Sequence, residues 1–255
     1  MSQQTLRLNQ RQQRIMRHFR SCLNALRLGF VYVRARWFKM PDKIRVAGKV
    51  VSLDYPHDHG ASTDFIACCI RNDYGLREQL SNIKTILDIG ANVGFFSVAA
   101  RACYPRATIH AYEPNPRVLP FLQANTAQLN MTVYPEAVGA ESGHVSILDS
   151  EDSNQARTQA SAAGTIPQVS LSRAVERLGG MVDLLKLDCE GAEWEMFRAR
   201  APWRKIRSIR MEYHLVGGRT IEDVEQNLRD LGFEPTHWEP DAGFGIVWAA
   251  STAQQ

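Results

Sequence analysis

The feature that most constrains this chain is a short apolar run that ends in two glycines. Thr85-Ile-Leu-Asp-Ile89 is followed by Gly90-Ala-Asn-Val-Gly94 and then by the helical pattern Phe95–Cys103. Such a run reads as a buried strand, and the glycines permit a tight turn with close approach of a ligand to backbone. The same order repeats downstream. Thr108–Tyr112 is a second strand ending at Glu113-Pro-Asn-Pro116, with a helix over 117–129 and Asn130 as its C-cap. Val182–Leu187 and Ser208–Tyr213 are further strands, with helices over Ala192–Arg200 and Glu222–Leu231. Phe233–Glu239 and Phe244–Ala249 form a closing hairpin. Alternating strands and helices imply an α/β, doubly wound, mainly parallel sheet covered on both faces. Ligands in such folds bind beyond the carboxyl ends of the strands.

Between these units, Thr132–Val138 and His144–Leu148 read as strands. Residues 149–166 are polar and small and read as a long loop able to close over a substrate. Ser170 or Ser172 caps a helix to Leu178. Ahead of the first unit, 44–54 read as short strands around Gly48, 55–62 as a loop and 63–80 as weakly helical.

The glycine turn is not a dinucleotide fingerprint. That pattern needs glycines at 90, 92 and 95, where this chain has Gly90, Asn92 and Phe95. Asp88 at the strand tip would repel a pyrophosphate and attract a cationic group. Glu113 lies 19 residues beyond Gly94, the spacing of an acid that accepts from both ribose hydroxyls. Together they point to a nucleoside bearing a positive charge, S-adenosylmethionine. A nicotinamide oxidoreductase is the rival that the failed fingerprint disfavours. A binding module without turnover is a further alternative.

Lys186-Leu-Asp188-Cys-Glu190-Gly191 is a third cluster. Strand alternation puts Lys186, Asp188 and Glu190 on one side. Methyl transfer from such a cofactor needs alignment of the acceptor and, for a protic acceptor, a base. Asp188, Glu190 and His214 are the candidate bases, with Glu190 or His214 ahead of Asp188. A structural Lys186–Asp188 ion pair is the alternative. Asp188, Glu190 and Glu212 could also hold Mg²⁺.

The motifs Asp88–Ser97, Tyr112–Pro116, Leu185–Glu193 and Met211–His214 together resemble the FkbM-type methyltransferases, over roughly residues 50–250. The resemblance implies a class I methyltransferase fold, a Rossmann-like seven-stranded sheet with the last strand antiparallel. It also implies O-methylation of a carbohydrate, glycolipid or glycosylated natural product. The expected cofactor contacts are Asp88, Gly90, Ala91, Asn92, Gly94, Glu113, Pro114, Asn115 and Ala137. The expected catalytic group is Glu190, His214, Asp188 and Lys186.

Charge divides the chain. Residues 1–45 hold eleven Lys or Arg and one acid, Asp42, a net +10. The remaining 210 residues hold 19 basic and 26 acidic residues, a net −7. The extension lies outside the resemblance. Its apolar residues Ile15, Phe19, Leu23, Leu26, Phe30, Val33 and Trp37 recur at helical spacing. This stripe would pack on the main domain at 46–255, or lie on an anionic membrane or a partner. The basic extension keeps a nucleic-acid methyltransferase in view, but Asp-Cys-Glu-Gly stands where base-amino methylation typically uses an Asn/Asp-Pro-Pro-aromatic segment. A small-molecule or glycan acceptor is therefore expected. His57-Asp-His59 reads as solvated loop, and the basic run Arg198–Arg210 as surface. Five cysteines without C-x-x-C spacing argue against disulfides and structural zinc and favour a reducing cytoplasm.

Overall fold

The computed structural model describes residues 10–78, 81–148, 157–161 and 163–254. In chain order the elements begin with α1 (Gln10–Arg27), the hairpin β1 (Lys43–Val46) and β2 (Lys49–Ser52), and α2 (His59–Phe65). The first units of the sheet are β3 (Thr85–Ile89), α3 (Phe95–Cys103), β4 (Thr108–Tyr112), α4 (Leu119–Thr126) and β5 (Thr132–Tyr134). Next come β6 (Ala137–Gly139), β7 (Gly143–Leu148), β8 (Arg157–Ala160), β9 (Ile166–Ser170) and α5 (Leu171–Arg177). The last elements are β10 (Leu184–Leu187), α6 (Glu193–Met196), α7 (Arg200–Trp203), β11 (Ser208–His214), α8 (Ile221–Asp230), β12 (Phe233–Pro240) and β13 (Phe244–Ser251).

The main sheet has seven strands in the order β12-β13-β11-β10-β3-β4-β5. Strands β3, β4, β5, β10 and β11 are parallel, and the last strand, β13, runs antiparallel to β11 and β12. This is the expected doubly wound sheet. β3 and β10 sit at its centre, and Ile86, Leu87, Leu184, Leu185 and Leu187 are fully buried between the two helical layers. The C-terminal ends of β3, β4, β10 and β11 therefore lie side by side.

Local chemistry fixes several boundaries. Ser170, rather than Ser172, caps α5 by accepting from the Arg173 amide. Thr220 and Asp223 form a reciprocal capping box at α8. Asn130 takes the left-handed conformation that closes the turn after α4.

Other expectations are revised. The run Thr132–Val138 is two strands, not one: Pro135 lacks an amide donor, and the chain leaves the main sheet there. β6 instead joins a four-stranded sheet, β6-β9-β7-β8. The expected 149–166 loop contains β8, while 149–156 and 162 lie outside the described residues. Asp58, read as loop, accepts from the Ala61 amide and starts α2, which runs on into a π-helical turn over Ile66–Arg71. Of the basic run, Arg198, Arg200, Arg204 and Lys205 are exposed as expected, while Arg207 pairs with Asp183 and Arg210 is buried.

The N-terminal helix differs most. α1 stops at Arg27, and Gly29 takes φ +89° where the stripe was expected to continue to Trp37. It rests on the body through its small face, Ser21, Asn24, Ala25 and Leu28, all buried. The Asn24 side-chain amide donates to the Ile70 carbonyl at 2.9 Å. The stripe divides: Ile15, Phe19, Leu23 and Leu26 on α1 are exposed, as are Val33 and Trp37, whereas Phe30 packs against Phe65 in the core.

Candidate active site

The strand ends open onto a cavity of about 660 Å³, within the range of small-molecule sites. Gly90, Ala91, Asn92, Glu113, Pro114, Asn115 and Ala137 line one part of it. Lys186, Asp188, Glu190, Glu212 and His214 line another. All of the expected catalytic residues and seven of the nine expected cofactor contacts thus share one space. The other two, Asp88 and Gly94, stand behind its wall.

Asp88 does not face the cavity as an open carboxylate. It is fully buried, accepts from the Ser97 hydroxyl at 2.6 Å, and lies 3.7 Å from the Lys186 ammonium. Burial raises its pKa, against the opposing pull of Lys186 and Ser97. Lys186 in turn lies 3.2 Å from Asp188 and donates to the Gly90 carbonyl. Burial pulls the ammonium's pKa down, but Asp188 and Asp88 outweigh it and keep the charge. The Lys186–Asp188 ion pair thus lies within the candidate site, and Lys186 ties the tip of β3 to the tip of β10.

Gly90 makes that tie possible. A Cβ built on it would meet the Asp188 carbonyl oxygen at 1.8 Å, and its φ is +74°. Gly94, φ +90°, would likewise press a Cβ onto Leu122 at 2.7 Å. Gly90 is required by packing as well as by backbone angle, whereas Gly94 is required chiefly by its positive φ.

Glu113 is buried at the tip of β4. Its two oxygens accept from the backbone amides of Asn92 at 2.7 Å and Asn115 at 2.8 Å. Burial lifts its pKa to about 7, even though those amides favour the charged form. Nearby, Asn92 Oδ1 and Asn115 Nδ2 are buried without a hydrogen-bond partner among the described residues. Unsatisfied buried polar atoms are costly, and here they border a cavity. A polar ligand carrying hydroxyls would satisfy them beside Glu113.

At the β10 and β11 tips, His214 is held from two sides. Glu193 accepts from its backbone amide at 2.8 Å and lies 3.3 Å from Nδ1. Glu190 lies 3.4 Å and Glu212 3.7 Å from Nε2. Burial lowers the imidazole's pKa, but Glu193, Glu190 and Asp188 reverse this and bring it to about 9. His214 therefore carries its proton at neutral pH. Burial and Asp188 push Glu212 up to about 8, against the pull of His214. The Tyr74 hydroxyl stands between Asp188 at 3.2 Å and Glu212 at 3.3 Å.

This donor set does not fit Mg²⁺. The atoms that converge within 4.8 Å are those of Asp188, Glu190 and His214, rather than the expected three carboxylates. The Lys186 ammonium already sits against Asp188, and Mg²⁺ favours a shell of oxygens.

The model of the methyltransferase FkbM domain matches residues 88–235. The chain belongs to the FkbM methyltransferase family. The chain is accordingly an S-adenosylmethionine-dependent methyltransferase. Among its relatives, the 31-O-demethyl-FK506 methyltransferase FkbM of Streptomyces tacrolimicus is 26% identical over 209 residues, covering 65% of this chain and 77% of that one. The hexuronic acid methyltransferase AglP of Haloferax volcanii is 30% identical over 181 residues, covering 67% and 73%. The METTL16 MTase domain superposes with a TM-score of 0.50 at 12% identity, over 79% of this chain and 73% of that one, a likeness of fold.

Three residues of the FkbM site were not singled out from sequence. Glu193 lies inside the Leu185–Glu193 motif, and its place one helical turn after Glu190 was the available signal. Asp64 accepts from the Asn92 side chain at 2.7 Å, and Tyr74 bridges two carboxylates. Both come from the 59–74 segment, which carries no motif.

Proposed function

We propose that this enzyme methylates a hydroxyl of a carbohydrate or of a glycolipid or glycosylated natural product, with Glu190 as the base. The observation that carries the reading is the state of the groups around Glu190. Asp188 already receives Lys186 and Tyr74, and His214 is already protonated at neutral pH. Glu190, at the Gly191 turn, 3.4 Å from the imidazolium and lining the cavity, is the carboxylate we assign to take a proton from an acceptor hydroxyl. The names of the two relatives are in keeping with this reading: one acts on an O-demethyl compound, which supports an oxygen acceptor, and one on a hexuronic acid, which supports a sugar.

Glu113, Asn92 and Asn115 would hold the nucleoside of S-adenosylmethionine, and the β3 turn would follow its backbone side. When bound, that cofactor supplies a methyl group on a positively charged sulfur, which departs as a neutral thioether. Glu190 accepts the hydroxyl proton as the acceptor oxygen forms its bond to carbon. His214, fixed by Glu193, offsets the charge on Glu190 and orients it. Lys186 keeps Asp188 in place, and Tyr74 spaces it from Glu212. Five free thiols fit a cytoplasmic setting.

The test is methyl transfer from labelled S-adenosylmethionine to uronic-acid oligosaccharides and to hydroxylated macrolide-type acceptors, beside nucleic acid and protein. Label on a hydroxyl oxygen supports the reading. Label on RNA, DNA or a side-chain amine, with none on hydroxyl acceptors, overturns it.

A further inference from the structure

Twelve large apolar side chains are exposed among the described residues, and eight belong to one stretch of 23: Ile15, Met16, Phe19, Leu23, Leu26, Val31, Val33 and Trp37. Single exposed apolar residues are ordinary; a cluster marks a surface that something covers. On α1 their placement is systematic. Ile15, Phe19, Leu23 and Leu26 share one face, at spacings of 4, 4 and 3. The opposite face, Ser21, Asn24, Ala25 and Leu28, is the one that rests on the body. Residues 11–20 are exposed throughout, so the first turns project outward.

The charges around the stripe say what kind of surface covers it. Between residues 10 and 45 there are ten Lys or Arg, every one exposed, and a single acid. α1 itself holds five arginines and no acid. A second copy of this chain would bring like charges together. RNA would neutralise the arginines and leave the Ile, Phe and Leu side chains uncovered. An anionic lipid surface satisfies both sets at once, with apolar side chains entering the acyl boundary and arginines among the headgroups. No helix of the described residues is long and apolar enough to cross a membrane, so the contact is one of lying on the surface.

We propose that α1 and the segment to Trp37 dock this enzyme on an anionic membrane surface. The helix lies close to the cavity mouth. Arg17 pairs with Glu239 at 3.2 Å, at the end of β12, and Asp241 and Phe244 of the same hairpin line the cavity. α1 also packs on the 66–71 segment through Asn24, and Ala67, Cys68 and Arg71 line the cavity. Docking therefore brings the active site beside the lipid. This surface stands independently of which hydroxyl is methylated.

The experiment is co-sedimentation of the full chain with vesicles of phosphatidylcholine alone or mixed with phosphatidylserine. Binding is expected to the mixed vesicles, to weaken as salt rises, and to be far lower on phosphatidylcholine. F19E/L26E alters two exposed positions, so its melting temperature should match the parent. It should bind mixed vesicles about tenfold or more weakly. R20E/R27E should lose the preference for phosphatidylserine. Vesicle binding unchanged in a folded F19E/L26E overturns the proposal, as does no binding by the parent chain. A parent dimer that F19E/L26E converts to monomer, without vesicle binding, assigns the stripe to a contact between copies. Retention on RNA that survives F19E/L26E, without vesicle binding, assigns the charge to nucleic acid.

Discussion

The Glu193 carboxylate lies 3.3 Å from Nδ1 of His214 and also accepts that residue's backbone amide, so one buried acid fixes both the ring and the strand end that carries it. The proton on His214 follows from this pairing. In Glu193→Gln the imidazole's pKa should fall from about 9 towards its ordinary range. NMR titration of the His214 ring reads this directly. A value that stays near 9 would show that Glu190 and Asp188 suffice.

Stability should decline with rising pH. His214, at about 9, and Glu212, at about 8, both have folded-state pKa values above their unfolded ones. Each therefore contributes stability below its unfolded pKa that is lost as pH rises through the folded value. The melting temperature should fall from about pH 5 to 9, Glu212 contributing between about 4.5 and 8 and His214 between about 6.5 and 9. Glu212→Gln should flatten that slope, and an equal slope in the variant would exclude Glu212 as a source.

Glu190→Gln should lower kcat by about 10² to 10⁴ and leave binding of S-adenosylhomocysteine unchanged. Calorimetry and initial rates on the same preparation separate the two. A kcat within a few-fold of the parent would move the base to another group.

Glu113 should report on the nucleoside. Its carboxylate has a pKa of about 7, so affinity for S-adenosylhomocysteine should weaken as pH falls below neutrality and the group protonates. Glu113→Ala should remove that dependence together with most of the affinity. A parallel pH profile in the variant would show that Glu113 does not take part.

Lys186→Met should destabilise the protein by about 3–5 kcal/mol, because Asp88 is fully enclosed and would lose its cation. Asp88→Asn combined with Lys186→Met should recover part of the loss, a coupling that a double-mutant cycle in denaturant measures. Strict additivity would deny the pair any energetic link.

The central sheet was legible because β3, β4, β10 and β11 are apolar runs punctuated by Gly90, Glu113-Pro114, Gly191 and His214. Nothing else explains a run such as Leu184–Leu187 so simply as burial on both faces. The orientation of α1 was not legible. Its apolar stripe has helical spacing whichever way it faces. The small residues Ser21, Asn24 and Ala25, which actually make the contact, carry little hydrophobic signal. Pro135 was a visible breaker whose effect, a change of sheet, depends on partners far along the chain. Most of the candidate site could be read because its acids end strands. Tyr74 and Asp64 could not, since they reach it from a segment that owes its position to packing rather than to any local pattern.

Gly90 lies so close to the Asp188 carbonyl that the turn leaves no room for any side chain at that position. A substitution at position 90 would therefore disturb together the turn that carries Asn92 and the one that leads to Glu190, whereas the wall formed by residues 63–74 and 241–246 is the part of the cavity on which that contact sets no limit.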